Sequence, residues 1–298
     1  MEKKSSRTLI YILFIVAFLV GACVLFYPLV SSMWAKHYQL GVIDSYNETV
    51  SSMDDDAIDA QLAKAEAYNK SLLTSKVTLS DPFDTDTATE KEDNATYESM
   101  LNMTDAMAYI EIPSINVYLP IYHGTDEETL SKGVGHLEGT SLPIGGVGTH
   151  CVLSAHSGLP TAELFTNLEK LEIGDDFYIH VLNEVLTYQV DQIKVVLPSD
   201  TSLLQIDPDE DYVTLVTCTP YAVNTHRLLV RGTRIYPTDK SQQTISNQSY
   251  VSVQLTHVEI VQYLAFFLAT ILFLLITVFF IRSRMKDRKS KGKNDDET

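Results

Sequence analysis

The chain has 298 residues, enough for one ordinary domain with additional segments, and a formal net charge of −17. Such an acidic protein is a poor partner for the phosphate backbone of nucleic acids, so a nucleic-acid partner is not expected. Of the three cysteines, Cys23 lies within an apolar stretch, and Cys151 and Cys218 could form one bridge at most. A disulfide framework is therefore excluded.

Two apolar segments, residues 9–30 and 260–281, are each long enough to cross a hydrocarbon core of about 30 Å as a helix. Three basic residues precede the first segment and seven follow the second. The positive-inside rule then places both ends, residues 1–8 and 282–298, in the cytoplasm and everything between the spans on the extracellular face. A cleaved signal peptide is the alternative for the first segment, although its apolar run exceeds the usual length of about 7–15 residues.

A helical segment is predicted over residues 31–76, where apolar residues recur at helical spacing among alanine, glutamine, lysine and glutamate. The acidic triplet at 54–56 suits the first turn of the second of two helices. Residues 77–105 are rich in Thr, Asp, Glu and Asn and predict a long loop, either functional or disordered. Within it, Asp81-Pro82-Phe83 either anchors the loop or is a chance apolar residue in a linker.

Residues 106–240 predict a mainly β domain, because short apolar or alternating runs are separated by Gly, Pro, Asn and Asp. Many short strands with one or two brief helices indicate a closed or nearly closed β-barrel. Residues 241–259 form a polar spacer leading back to the membrane. The predicted strands are 108–112, 117–121, 151–155, 176–181, 185–197, 212–216 and 227–235, with a short helical stretch at 161–168.

Three residues at the ends of predicted strands are candidates for chemistry. Cys218 precedes Thr219-Pro220, where the proline ends the strand ladder, but a free cysteine is also often a small buried hydrophobe. His156 ends another strand-like run. Arg227 begins a strand nine residues after Cys218, where a cation would lower the pKa of the thiol and bind an oxyanion, or would form a surface salt bridge.

Other kinds of site receive little support from the sequence. His150 and His156 would share one face of a strand, but no third ligand is evident, so neither a metal nor a cofactor is expected. The absence of a G-x-S-x-G elbow argues against a serine hydrolase of the common type. Cys151 lies within an apolar run and fits a buried role.

Three segments resemble the sortase family in order and spacing. The run 214–218, Thr-Leu-Val-Thr-Cys, resembles the T-L-x-T-C strand, 224–232 looks like the arginine strand, and 154–160 is similar to the histidine segment. The resemblance covers the predicted barrel. The Asp81-Pro82-Phe83 motif, with the helical N-terminal segment and the C-terminal span, resembles class C, pilin-polymerising sortases of Gram-positive bacteria. Two positions depart from the family: Ser157 stands where arginine is common, and Ala222 where glycine is common.

The resemblance implies a sortase-like closed β-barrel with short helices, an N-terminal helical segment and a lid loop, flanked by two transmembrane helices. It also implies a cysteine transpeptidase of the hydrolase and peptidase class that cleaves LPxTG-type sorting signals between Thr and Gly. Cys218 would be the nucleophile, His156 the proton carrier and Arg227 the stabiliser of substrate backbone and oxyanion. The lid motif would close the site, with Asp81 paired to Arg227 and Phe83 over Cys218.

The implied partners are pilin subunits carrying the sorting signal, the acceptor lysine of another pilin, and membrane lipid. A wall-anchoring sortase that uses the amine of a peptidoglycan precursor is the alternative enzyme. A non-catalytic assembly factor that binds sorting signals, and a structural membrane protein with an incidental barrel, are the alternatives outside catalysis.

Overall fold

The structure is a computed structural model that describes residues 2–75, 77–84 and 95–236, together with Thr270 and Phe273. The chain divides into two units, Met1–Tyr250 and Val251–Thr298, and the description below concerns the first. The predicted polar spacer at 241–259 and the basic tail lie outside the described residues, as does almost all of the second predicted span at 260–281.

Residues 2–52 form one long helix. Helix α1 runs over Glu2–Ser52 without interruption, so the apolar span and the predicted first helix of the ectodomain are one element. Its stretch Ile15–Ser52 is the one helix in the described part of the chain that is long and apolar enough to cross a membrane. This is consistent with membrane anchoring at the N-terminal end.

The last turns of α1 pack on the barrel. Ile43, Tyr46 and Val50 recur at helical spacing and are buried. The Tyr46 hydroxyl donates to the carbonyl of Met107 (3.2 Å) and accepts from the amide of Leu182 (2.7 Å). Helix α1 therefore continues directly into the folded domain instead of ending at a flexible linker.

Two shorter helices follow α1. Helix α2 spans Asp55–Leu72, and Asp54 caps it by accepting from the amide of Ala57 (2.8 Å), as the acidic triplet predicts. Its buried Asn69 exchanges two hydrogen bonds with the backbone of Leu142, which clamps α2 to the barrel. Helix α3, Ala95–Glu98, lies inside the stretch expected to be an irregular loop.

Eight strands close a barrel, which confirms the mainly β, closed-barrel part of the predicted fold. Their order around it is β1-β2-β3-β4-β7-β8-β6-β5, with β2-β3 and β4-β7 parallel and the other pairs antiparallel. The strands are β1 Ala108–Ile112, β2 Val117–His123, β3 Val134–His136, β4 Thr149–Ser154, β5 Asp176–Val181, β6 Glu184–Val196, β7 Asp211–Thr219 and β8 His226–Arg234.

The structure contains short elements that the sequence did not predict, and it corrects one prediction. Strand β3 has three residues and helix α4, Glu127–Lys132, has six, which is too short for either to show a hydrophobic period. The predicted helical stretch at 161–168 is wrong: it consists of turns, and a 3₁₀ helix occupies Leu168–Lys170. Two more 3₁₀ turns lie at Pro113–Ile115 and Ser202–Leu204.

Strand pairing brings the ends of β4, β7 and β8 to one edge of the barrel. Strand β4 runs parallel to β7, with Ser154 opposite Val216. The Thr217 hydroxyl donates to the carbonyl of Ala155 (2.7 Å), which ties the two strand ends together. The core beneath this edge is apolar, and the interior residues Leu153 and Leu215 are fully buried.

Candidate active site

Cys218 and Arg227 face each other across two strands. The antiparallel register of β7 and β8 sets them directly opposite, and each residue is less than a tenth exposed. The connection between the strands turns through Ala222 and Asn224, whose φ values are +62° and +58°. Glycine adopts such angles without strain, which gives a physical reason for the family's preference for glycine at the position of Ala222.

The Arg227 guanidinium makes four hydrogen bonds. Its Nε donates to Oδ1 of Asp81 (2.8 Å) and its Nη2 to Oδ2 of the same carboxylate (2.6 Å). Its Nη1 donates to the backbone carbonyls of Asn224 and His226, both at 3.1 Å. This two-pronged pairing fixes the plane of the guanidinium and leaves it bound to Asp81 rather than to a substrate.

The segment 77–84 lies across the site and carries the predicted lid motif. Leu79 and Phe83 pack on a buried apolar cluster formed by five residues (Leu137, Val152, Leu204, Val216 and Leu229). The Phe83 ring lies 5.0 Å from the guanidinium carbon of Arg227 and 5.6 Å from the centroid of the His156 ring. Pro82 is buried. The expected pairing of Asp81 with Arg227 is present, and Phe83 lies against both proposed partners of Cys218.

His156 lies in the loop that follows β4, and its ring is bounded by two groups. Phe83 packs on it from the lid, and Oε2 of Glu127, in α4, lies 3.3 Å from its Nε2. The loop is held by its own backbone, because the amide of Phe165 donates to the carbonyl of His156 (3.1 Å). Glu127 was not identified from the sequence. Asp126 followed by two glutamates is a signal for the start of a helix and would have located α4, but it would not have revealed the contact between Glu127 and His156.

The charges around Cys218 oppose one another. Burial raises the pKa of the Cys218 thiol above its ordinary value, the positive Arg227 lowers it, and the negative Asp81 raises it again. Burial disfavours the charged guanidinium of Arg227, but the hydrogen bonds that it donates to Asp81, and the negative charges of an ionised Cys218 and of Asp81, outweigh this effect and raise its pKa. With the lid in this position, the thiol is therefore held in its protonated, less nucleophilic form.

The remaining candidates from the sequence lie elsewhere. Cys151 is buried in the core, where burial and, to a lesser degree, Asp211 raise its pKa well above the ordinary thiol value. His150 is engaged at both ring nitrogens, by the carbonyl of Gln205 (2.8 Å) and the hydroxyl of Thr214 (2.7 Å), and burial lowers its pKa to about 4. Across residues 2–75, 77–84 and 95–236, no group of three or more His, Cys, Asp or Glu side chains is placed to hold a metal ion.

Comparisons with known proteins agree with this geometry. Residues 110–235 match the sortase domain family. The solved structure of sortase C-1 from Streptococcus pneumoniae is 49% identical, with a TM-score of 0.62 over 66% of this chain and 99% of that one. The chain belongs to the sortase family. Sortases are cysteine transpeptidases, and the barrel edge carrying Cys218 is the candidate active site of this sortase domain.

Further relatives extend the comparison within the sortases. Sortase C-1 from Actinomyces oris is 48% identical, with a TM-score of 0.57 over 61% of this chain and 99% of that one. A pilus-related sortase C of Group B Streptococcus is 49% identical, with a TM-score of 0.59 over 64% and 95%. Sortase D of Bacillus subtilis is 33% identical over 117 residues, which is 39% of this chain and 56% of that protein. The chain therefore spans about half the length of this relative but nearly all of the class C structures.

Proposed function

We propose that this protein is a membrane-anchored class C sortase that polymerises pilins. The observation that carries the proposal is the cross-strand pairing of Cys218 with Arg227, covered by a lid whose Asp81 binds the same arginine. The comparisons support it, because this chain covers 95–99% of three solved structures of class C sortases, one of them pilus-related.

In the first half-reaction, the Cys218 thiolate attacks the threonine carbonyl of an LPxTG-type sorting signal. A carbon–sulfur bond forms, the Thr–Gly amide bond breaks, and His156 donates a proton to the departing glycine amine. Arg227 stabilises the negative charge that develops on the carbonyl oxygen. This role requires Arg227 to exchange its bonds with Asp81 for bonds to the substrate, so the lid must open first.

In the second half-reaction, the lysine amine of another pilin attacks the thioester carbonyl. A carbon–nitrogen bond forms, the carbon–sulfur bond breaks, and His156 takes up the proton of the amine. The thiolate of Cys218 is thereby regenerated. Water competes for the same thioester, so covering of the site by apolar side chains favours transfer over hydrolysis.

The location proposed for this chemistry is the outer face of the cell membrane. The long apolar helix α1 supports anchoring at the N-terminal end, and the basic residues outside both apolar segments support a two-pass arrangement with cytoplasmic termini. Cysteine substitutions at residues 5 and 290, probed with a membrane-impermeant reagent in intact cells, test this arrangement. Labelling of either position without permeabilisation would contradict it.

The function is tested by mass spectrometry of the full-length protein in detergent micelles, mixed with an LPxTG-type peptide. We expect a thioacyl adduct on Cys218, no adduct in Cys218→Ala, and a retained adduct in Cys151→Ala, the matched control for a buried thiol. His156→Ala and Arg227→Ala are expected to remove cleavage completely or nearly so. Turnover of normal rate by Cys218→Ala would refute the proposal.

The choice of amine separates the pilin polymerase from the wall-anchoring alternative. The preformed adduct is offered a pilin fragment with its acceptor lysine, or a peptidoglycan-precursor amine, and the product is identified by its mass. An isopeptide-linked pilin supports the polymerase, whereas transfer only to the precursor supports a wall-anchoring enzyme. Tight binding of the sorting peptide with no adduct would instead indicate a non-catalytic assembly factor.

A further inference from the structure

One carboxylate outside the proposed catalytic set contacts the site. Glu127 is the first residue of α4, and its Oε2 lies 3.3 Å from Nε2 of His156. Its side chain is 67% exposed, against 19% for His156. Exposed ion pairs often contribute little, because the two side chains lose conformational freedom to hold one geometry. The free energy that this contact contributes therefore depends on how firmly the fold holds Glu127 and His156 in place.

The helix that carries Glu127 is fixed at both ends. Asp126 caps it by accepting from the amide of Thr129 (3.0 Å). Leu130 is buried at its centre, and the Gln39 amide of α1 donates to the carbonyl of Lys132 (2.9 Å) at its last turn. These contacts set the position of the Glu127 backbone without involving the lid.

The histidine end of the contact is fixed by the neighbouring strands. Helix α4 leads directly into β3, which pairs with β4 through Gly135 and Ser154. His156 follows two residues after Ser154, so the pairing of β3 with β4 brings the loop that carries His156 close to α4. Phe83 packs on the imidazole from the lid, and opening of the lid would remove Phe83 but not Glu127.

The chemistry of the contact assigns a role to each imidazole nitrogen. An ionised carboxylate only accepts hydrogen bonds, so Nε2 of His156 must carry a hydrogen when it bonds to Glu127. In the neutral imidazole, Nδ1 is then the basic nitrogen that can take up a proton. The hydrogen bond is charge-assisted, because the carboxylate that accepts it is ionised, and it fixes the plane of the imidazole ring.

We propose that Glu127 is a positioning residue for His156, which orients the ring and selects its Nε2–H tautomer during acyl transfer. This role rests on the proposed transpeptidase function and adds to it a residue that positions the proton-carrying histidine. Glu128 is the matched control, because it is equally acidic and adjacent but forms an ion pair with Lys132 within α4.

The test measures thioacyl-adduct formation on Cys218 in the full-length protein, in an Asp81→Ala/Phe83→Ala background so that lid opening does not limit the rate. Glu127→Gln keeps a hydrogen-bond acceptor and removes the charge, whereas Glu127→Ala removes both. We expect Glu127→Gln to slow the adduct by about three- to five-fold at low salt, the size typical of an exposed charge pair. The difference should shrink near 1 M salt because charge screening weakens the pair, and Glu128→Gln should match its parent.

A second measurement detects the tautomer independently of turnover. Nitrogen-15 spectra of the histidine side chains, with His156 assigned by its absence in His156→Gln, should show the Nε2–H form in the parent and in Glu127→Gln. That preference should weaken in Glu127→Ala.

Three outcomes would overturn the role. In the first, adduct formation proceeds at the parental rate in both Glu127 variants. In the second, the slowing is undiminished by salt and is accompanied by a lower melting temperature, which would mark a structural residue. In the third, no variant forms an adduct, including the parent; this would refute the transpeptidase function itself and the role of Glu127 with it.

Discussion

Removal of the Asp81 carboxylate should open the site. Two charge-assisted hydrogen bonds of 2.8 and 2.6 Å join Asp81 to Arg227, and the two side chains are 11% and 10% exposed. Hydrogen bonds to charged groups contribute about 1.5–3 kcal/mol, whereas exposed pairs contribute about 1 kcal/mol or less. For this largely buried pair we take about 2 kcal/mol, and at about 1.4 kcal/mol per factor of ten the open form should become roughly 30-fold more populated in Asp81→Ala.

The same substitution should also change the thiol itself. The charge of Asp81 raises the pKa of Cys218, so its removal lowers that pKa and increases the thiolate fraction near neutral pH. Both effects accelerate reaction with a thiol reagent. The midpoint of the labelling rate against pH should therefore lie lower in Asp81→Ala than in the wild type.

The assay is the rate of alkylation at Cys218, read by peptide mass mapping so that Cys23 and Cys151 do not interfere. Asp84→Ala is the control, since it removes the same charge from the same segment. Asp81→Asn should fall between the wild type and Asp81→Ala because the amide still accepts a hydrogen bond. Equal labelling rates in the wild type and Asp81→Ala would refute the view that this ion pair holds the lid closed.

Three further predictions concern stability. Tyr46→Phe should lower the free energy of unfolding by about 1–3 kcal/mol in denaturant titrations, because the buried amide of Leu182 loses its acceptor; an unchanged midpoint would contradict the docking of α1. Burial lowers the pKa of His136 and His150 to about 4, so only the unfolded chain takes up these protons as the pH falls below about 6.5. Stability measured at these pH values should accordingly fall by between about 1 and 2 kcal/mol per histidine from pH 6.5 to pH 5, and a flat profile would refute this. Gly158→Ala should destabilise by about 1 kcal/mol, because φ is +78° there, and its melting temperature tests this.

Much of the barrel was predictable because each longer strand is marked by a hydrophobic pattern within its own residues. The runs at 108–112 and 176–181 match β1 and β5 residue for residue, since alternating or continuous apolar residues bounded by turn residues leave few other conformations. Strand β3 escaped prediction because its three residues pair with β2 and β4, and that pairing is set by residues distant in the chain.

The proposed site likewise has one part that the sequence shows and another part that depends on contacts between distant residues. The motif around Cys218 could be recognised in the sequence because its residues are contiguous and resemble a sortase strand, whereas position alone left a buried structural cysteine equally open. The neighbours of His156 could not, because Glu127 lies 29 residues earlier and reaches it only after β3 and β4 pair. Asp81 and Arg227 are 146 residues apart, and the sequence suggested their pairing only by resemblance to a family.

By itself, the sequence predicted an apolar helix long enough to cross a membrane and a β-rich domain, since both depend on local composition and short patterns. It singled out the thiol, imidazole and guanidinium groups through the resemblance of three short segments to sortases. Only the tertiary structure decided that α1 continues into the domain, that the lid segment lies over the strand ends, and that Glu127 meets His156. These contacts join residues distant in the chain, and their geometry follows from strand register and from packing on a shared core, which no local pattern encodes.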